Sequence, residues 1–132
     1  MRRESWLPAR PESAARARAI VRRAAFEQGL DEEAVWSLAL AASEAISNAI
    51  IHGTACSDGD EGILLRVQAW DDGLWVEVLD CGRLEAGAPS PGPDEAHGRG
   101  IPLIAAVVDH FELGTEGPFT RVRFAKRNAM AA

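Results

Sequence analysis

The sequence predicts an α+β sandwich, with helices on one face of a mostly antiparallel sheet. Three observations carry that expectation. Residues 31–52, DEEAVWSLALAASEAISNAIIH, read as one helix that is apolar around most of its girth, which marks a helix held between other elements. Asp71-Asp72-Gly73 and Glu116-Gly117-Pro118 each separate two strand-like runs and so signal hairpins. The elements then follow one another as strand, two helices, hairpin, loop, helix, hairpin.

Residues 5–9, SWLPA, form a short apolar stretch that suits an edge strand, where Pro8 is tolerated. Pro11 opens a helix to about Gln28, with Pro in the first turn and Gly29 at the stop. Its apolar positions Ala15, Ala19, Val21, Ala25 and Phe26 follow a helical face only in part. Its arginines form either a solvated face or a docking surface for an acidic partner. Asp31 caps the central helix, which stops at Gly53.

A polar loop, 54–61, leads to strands at 63–70 and 74–79. In the second, Leu74, Val76 and Val78 point one way and Trp75, Glu77 and Leu79 the other. Residues 83–97 are rich in Gly and Pro and hold no regular element. A loop of that length in so small a domain is more often a functional lid than filler. Gly98-Arg99-Gly100 opens a short helix over 101–108, with Pro102 in its first turn. Strands at 110–115 and 119–125 complete the sheet, and 126–132 read as a frayed tail.

With 132 residues, 47% of them hydrophobic, the chain is expected to be one domain with its core at about 5–126. That length buries roughly two thirds of the unfolded surface. Fourteen basic and 20 acidic residues give a net charge of -6, which argues against a general nucleic-acid binder. The arginines are uneven: Arg2, Arg3, Arg10, Arg16, Arg18, Arg22 and Arg23 crowd the first segment. No signal-peptide run opens the chain and no stretch reads as a bilayer span, so the expectation is a cytoplasmic protein without membrane contact. Cys56 and Cys81 lack paired spacing, which argues against a disulfide framework or a zinc site. There is no internal repeat.

The polar residues of the central helix stand out against this background. At about 100° per residue, Glu44 and Asn48 lie about 40° apart on successive turns, with Ser37 between them in projection. A carboxylate and a carboxamide on a largely buried helix are costly unless something polar fills the space before them. A buried hydrogen-bond pair, a solvated stripe and a ligand site would each meet that need. Two further signals follow, Asp80-x-Gly82 at a strand end and Gly98-x-Gly100 at a helix start. Backbone N–H groups at the latter suit an anion, helped by the helix dipole. Each glycine pair alone is ordinary turn chemistry. The three signals in this order, with a loop between the last two, are far less common.

These residues resemble a known family. Glu44-Ala45-Ile46-Ser47-Asn48-Ala49-Ile50-Ile51-His52 looks like the N box of the GHKL, or Bergerat, ATP-binding fold. Asp80-Cys81-Gly82 resembles its first glycine box, and Gly98-Arg99-Gly100-Ile101-Pro102-Leu103 with Val107-Val108-Asp109 its second. The wording around the N box and the small size are most similar to RsbW-like anti-sigma factor serine kinases, over nearly the whole chain.

The resemblance implies a two-layer sandwich in which three helices cover one face of a mixed, mostly antiparallel sheet. It implies ATP and Mg²⁺ as cofactors. Asn48 would bind Mg²⁺ through its carboxamide oxygen, and Glu44 would act as base on a substrate serine. Asp80 would accept from the adenine amino group and Gly82 would let the ring approach. Gly98, Arg99 and Gly100 would face the phosphates, Thr120 would lie near the nucleotide, and 83–97 would be the ATP lid. The implied partners are a STAS-domain anti-anti-sigma protein as substrate, an RNA polymerase sigma factor, and a second copy in a homodimer.

One departure bears on activity. Many relatives carry Asp-x-Gly-x-Gly, whereas here Asp80-Cys81-Gly82 continues as Arg83-Leu84. That loss supports an alternative reading, a nucleotide-binding or nucleotide-free module that sequesters a partner without chemistry. A histidine-kinase catalytic domain is disfavoured because no dimerisation helices or phospho-acceptor segment are seen before the fold. His52 reads as a helix-end residue, Cys81 as a small strand-end residue, and Trp6, Trp36, Trp70 and Trp75 as core or partner-surface aromatics.

Overall fold

A computed structural model describes residues 2–52, 62–81 and 96–128, with backbone alone at 52 and 96–101. The elements are β1 (Arg2–Leu7), α1 (Glu12–Glu27), α2 (Glu32–His52), β2 (Ile63–Trp70), β3 (Gly73–Asp80), α3 (Ala96–Val107), β4 (His110–Glu116) and β5 (Phe119–Arg127). The strands form one sheet in the order β1-β2-β3-β5-β4, antiparallel at every neighbouring pair. The helices lie on one side, with α2 packed against both α1 and α3 and resting on β3 and β5. This is the expected α+β sandwich in the expected order.

The turn chemistry explains why the elements stop where they do. Pro11 precedes α1 with helical φ of -53°, and Gly29 follows it at φ +81°, a conformation open to glycine at little cost. The Asp31 carboxylate accepts from the Ala34 amide at 2.9 Å, which is the N-cap the sequence called for. Trp70 pairs with Gly73 across the tight Asp71-Asp72 turn, and a Cβ at Gly73 would lie 2.3 Å from the Trp70 ring. A side chain at position 73 would therefore have to displace the ring that covers it.

Three boundaries differ from the sequence expectation. The edge strand begins at Arg2, because the charged first residues pair through their backbones with Val67 and Gln68 of β2. The chain beyond residue 125 is not frayed as far as Asn128. The Asn128 carboxamide oxygen accepts from the Asp31 amide at 2.6 Å, and its own amide donates to the Asp72 carbonyl at 2.9 Å. Helix α3 begins at Ala96, earlier than expected, so Pro102 sits inside it. A proline there has no N–H to give to the carbonyl of Gly98.

The two faces of the sheet differ in chemistry. Toward the helices lie Leu7, Ile63, Leu65, Val67, Leu74, Val76, Val78, Val122 and Phe124, all buried. With Val21, Leu38, Ile46 and Ile104 from the helices they form one core. On the outer face the register lines up Glu4, Arg66, Glu77, Arg123 and Glu112 across all five strands, alternating in charge. Arg66 is the most fully bonded member of that row, donating from Nε to Glu77 at 3.0 Å and from both terminal nitrogens to Glu116, outside the row, at 3.0 and 2.9 Å.

Among the described residues, α2 is long and apolar enough to cross a membrane, contrary to the expectation that no stretch would be. Its burial between α1 and α3 accounts for that composition: Ala34, Leu38, Ala41, Ala42, Ala45 and Ile46 are buried in the core. Trp36 and Ile51, by contrast, are each 62% exposed. Trp36 is thus a surface aromatic.

Candidate functional site

The helix-facing end of the sheet gathers three polar side chains. Asp80 closes β3, only 6% exposed, and stands in register with Ile63 of β2 and Thr120 of β5. Thr120 in turn faces Thr115 of β4. Strand alternation puts all three on the side covered by the helices, in line with Val78, Val122 and the rest of the core. A buried aspartate is unusual unless its oxygens have partners, and both Asp80 and Thr120 are engaged with neighbouring groups. Asp80 and Thr120, both expected near one ligand, are direct cross-strand neighbours.

Thr115 was not singled out by the sequence. The signal was available, since a turn at Gly117-Pro118 fixes the register that sets Thr115 opposite Thr120.

The second group of candidates lies on α2. Glu44 and Asn48 are both half-buried, one helical turn apart on the same flank. The Asn48 Nδ2 atom is buried and has no hydrogen-bond partner among the described residues. An orphaned buried amide costs about 1–3 kcal/mol. Amide oxygen and nitrogen exchange places by a simple flip, so the unpartnered position can equally present an oxygen. Nearby, Ser43 satisfies its hydroxyl on the Leu40 carbonyl at 2.9 Å, within its own helix. The helix thus satisfies Ser43 internally and leaves the Asn48 amide nitrogen without a partner among the described residues. A hard cation or a polar ligand group fits that donor set.

The third group is seen in part. Gly98, Arg99 and Gly100 lie within the first turns of α3, not ahead of it. In a helix beginning at Ala96, the amide of Gly98 still belongs to the unsatisfied first turn, whereas that of Gly100 falls beyond it. Gly98 is therefore the better placed of the two to face an anion. Gly82 and the expected lid through residue 95 lie outside the described residues.

Cys81, next to Asp80, is disulfide-bonded, whereas the cysteine spacing argued against a disulfide framework. Cys56, the other cysteine of the sequence, lies outside the described residues. Widely spaced cysteines carry no pairing signal in sequence, because folding decides which of them meet. Among the described residues no group of His, Cys, Asp and Glu could by itself hold a metal ion.

Comparison with known proteins gives this arrangement a context. Residues 7–126 match the family described as histidine kinase-like ATPase domain. Among solved structures, the RsbU and RsbW domains of Rv1364c from Mycobacterium tuberculosis superpose with a TM-score of 0.75 at 22% sequence identity. That match covers 96% of this chain and 32% of the other, so the chain spans about a third of the length of that protein. No curated protein matches the chain.

Proposed function

This chain belongs to the histidine kinase-like ATPase family, and from that premise we propose that it is an ATP-dependent protein-serine kinase of the anti-sigma type. Its substrate is a serine of a STAS-domain anti-anti-sigma protein, and its other partner is an RNA polymerase sigma factor. Phosphorylating the antagonist leaves the kinase free to hold sigma, a partner switch carried out in the cytoplasm by a homodimer. The single observation that carries this reading is the Glu44/Asn48 pair with its buried, unpartnered amide.

Each residue has a role in this reading. Asn48 would hold Mg²⁺ through its carboxamide oxygen, which suits a hard cation. Glu44, one turn earlier, would take the proton from the attacking serine hydroxyl. Asp80 would accept from the adenine amino group, with Thr120 beside it on the same floor. Gly82 would admit the ring, and the start of α3, with Gly98, Arg99 and Gly100, would face the phosphates. Bound Mg-ATP supplies the transferable phosphoryl group.

Calorimetry of Mg-ATP and Mg-ADP on the wild type and on Asp80→Asn tests the nucleotide site first. Binding that needs Mg²⁺ and collapses with Asp80→Asn supports it. No binding at millimolar nucleotide removes it. Phosphate transfer to the cognate antagonist, abolished by Glu44→Ala, tests the chemistry. The Arg83-Leu84 continuation of the first glycine box favours a second reading, a module that sequesters a partner without transfer. It predicts partner binding unchanged in both Glu44→Ala and Asn48→Ala.

A further inference from the structure

The outward face of α1 is used by neither the core nor the nucleotide site. Ala17, Val21, Ala24 and Ala25 bury one side of the helix. Ala15, Ala19 and Phe26 lie within about 40° of one another on the opposite side, and all three are exposed, Phe26 at 77%. Helical spacing puts Arg22 along one edge of this apolar stripe and Arg16 and Arg23 along the other. Where α1 meets α2, Ala19, Arg22, Arg23, Phe26 and Val35 line an open groove of about 350 Å³. Trp36, next to Val35, is also exposed.

The charges around the groove are not equivalent. Arg23 is paired with Glu27 at 3.2 Å, and Glu27 is also held by Arg3 at 2.7 Å. Arg16, Arg18 and Arg22 have no ion pair among the described residues. Glu12 is the other acidic residue of α1 on this face, at the far end of the stripe, and Glu32 stands one turn before Val35 on α2. Unpaired guanidinium groups beside an apolar groove, on a chain of net charge -6, make a local reversal of sign.

We propose that this groove docks an acidic amphipathic helix from a protein partner. Apolar side chains at i, i+3, i+4 and i+7 of that helix would seat over Ala19, Phe26 and Val35, and carboxylates on its flanks would meet Arg22 and Arg16. An anionic bilayer is the poorer match, because the net charge of the whole chain is negative and the arginines edge a groove instead of covering a plane. The interaction needs no nucleotide and no catalysis, so it stands apart from the kinase reading.

The test uses a fluorescein-labelled synthetic helix with leucines at that spacing and glutamates on both flanks, followed by anisotropy on the whole chain. The expected result is saturable binding that weakens with added salt. Arg22→Glu and Phe26→Ser should each lower affinity about tenfold or more, and a lysine-flanked peptide should bind Arg22→Glu better than wild type. Both positions are exposed, so the fold is retained, and unchanged Mg-ATP calorimetry with unchanged urea unfolding would confirm it. Amide shift changes should centre on residues 19–26 and 35. Equal binding by wild type and both variants overturns the proposal, as does no binding of the acidic peptide. Binding of phosphatidylserine vesicles that Arg22→Glu abolishes would assign the surface to lipid instead. A dimer that Phe26→Ser dissociates would assign it to a second copy.

Discussion

Arg66 and Asn48 are both polar groups drawn out of water, on opposite faces of the same sheet, and the chain treats them oppositely. All three guanidinium nitrogens of Arg66 meet carboxylate oxygens. Its hydrogen bonds to Glu116, then those to Glu77, outweigh desolvation and raise its already high pKa. The Asn48 amide nitrogen meets nothing among the described residues. A group whose every nitrogen is bonded inside the chain serves the fold. One left unmet calls for a partner from outside the chain, such as a water, an ion or a ligand, and Asn48 shares that feature with Asp72, Arg121 and Arg123. The same contrast separates Arg66 from Arg22 of α1, the first engaged across the sheet and the second without an ion pair among the described residues.

The largest effects should fall on the side left unmet. Asn48→Ala and Asp80→Asn should each weaken Mg-nucleotide binding about 10- to 100-fold, the worth of a hydrogen bond to a charged group. Because the Asn48 nitrogen makes no described bond, Asn48→Ala should not destabilise the chain in urea, and relief of the orphaned amide should offset the lost packing by about 1 kcal/mol or more. Calorimetry and chemical denaturation on one preparation decide the matter. A large stability loss with nucleotide affinity intact would make Asn48 an ordinary structural residue.

Arg66→Met should show the reverse pattern. It strands Glu77 and Glu116 on the sheet, and the expected loss is about 2 kcal/mol with nucleotide affinity unchanged. Its pH dependence sharpens the point. Hydrogen bonding to Arg66 first, and also to Arg121, holds the Glu116 carboxyl below its ordinary 4.5. A depressed carboxylate stabilises the fold above the unfolded value and loses that contribution as pH falls from there through the folded value. Wild type should therefore lose stability steadily below about pH 4.5, and Arg66→Met should show a shallower slope over the same window. Equal slopes would remove Glu116 from the acid response.

Much of this was legible in the sequence, for physical reasons that differ from residue to residue. Asp31, Gly29 and the Asp71-Asp72-Gly73 turn act locally, so their residue types announce them. The alternation of β3 was legible because one face is buried. Glu44 and Asn48 were legible because polar groups on an apolar helix are costly. What remained hidden depends on distant chain segments coming together. The Cys81 disulfide, the exposure of Trp36 and Phe26, and the pairing of Asp80 with Thr120 are of that kind. The start of α3 at Ala96 was hidden for another reason: glycines argued for a turn, and the helix continued through them.

Asn128 offers the smallest and cleanest test of the contrast between met and unmet groups. Its carboxamide resembles that of Asn48, yet both its oxygen and its nitrogen have partners. The oxygen accepts from the Asp31 amide at 2.6 Å, and the nitrogen donates to the Gly29 carbonyl at 3.4 Å. These bonds tie the end of β5 to the turn between α1 and α2, where the helix termini leave backbone groups without helical partners. The site is partly open to water, so water replaces some of what a substitution removes. Asn128→Ala should therefore cost about 1 kcal/mol and speed amide exchange at Asp31, without changing nucleotide affinity. Exchange at Asp31 that stays as slow as in wild type would show that the α1–α2 turn holds itself, and that the carboxamide only follows it.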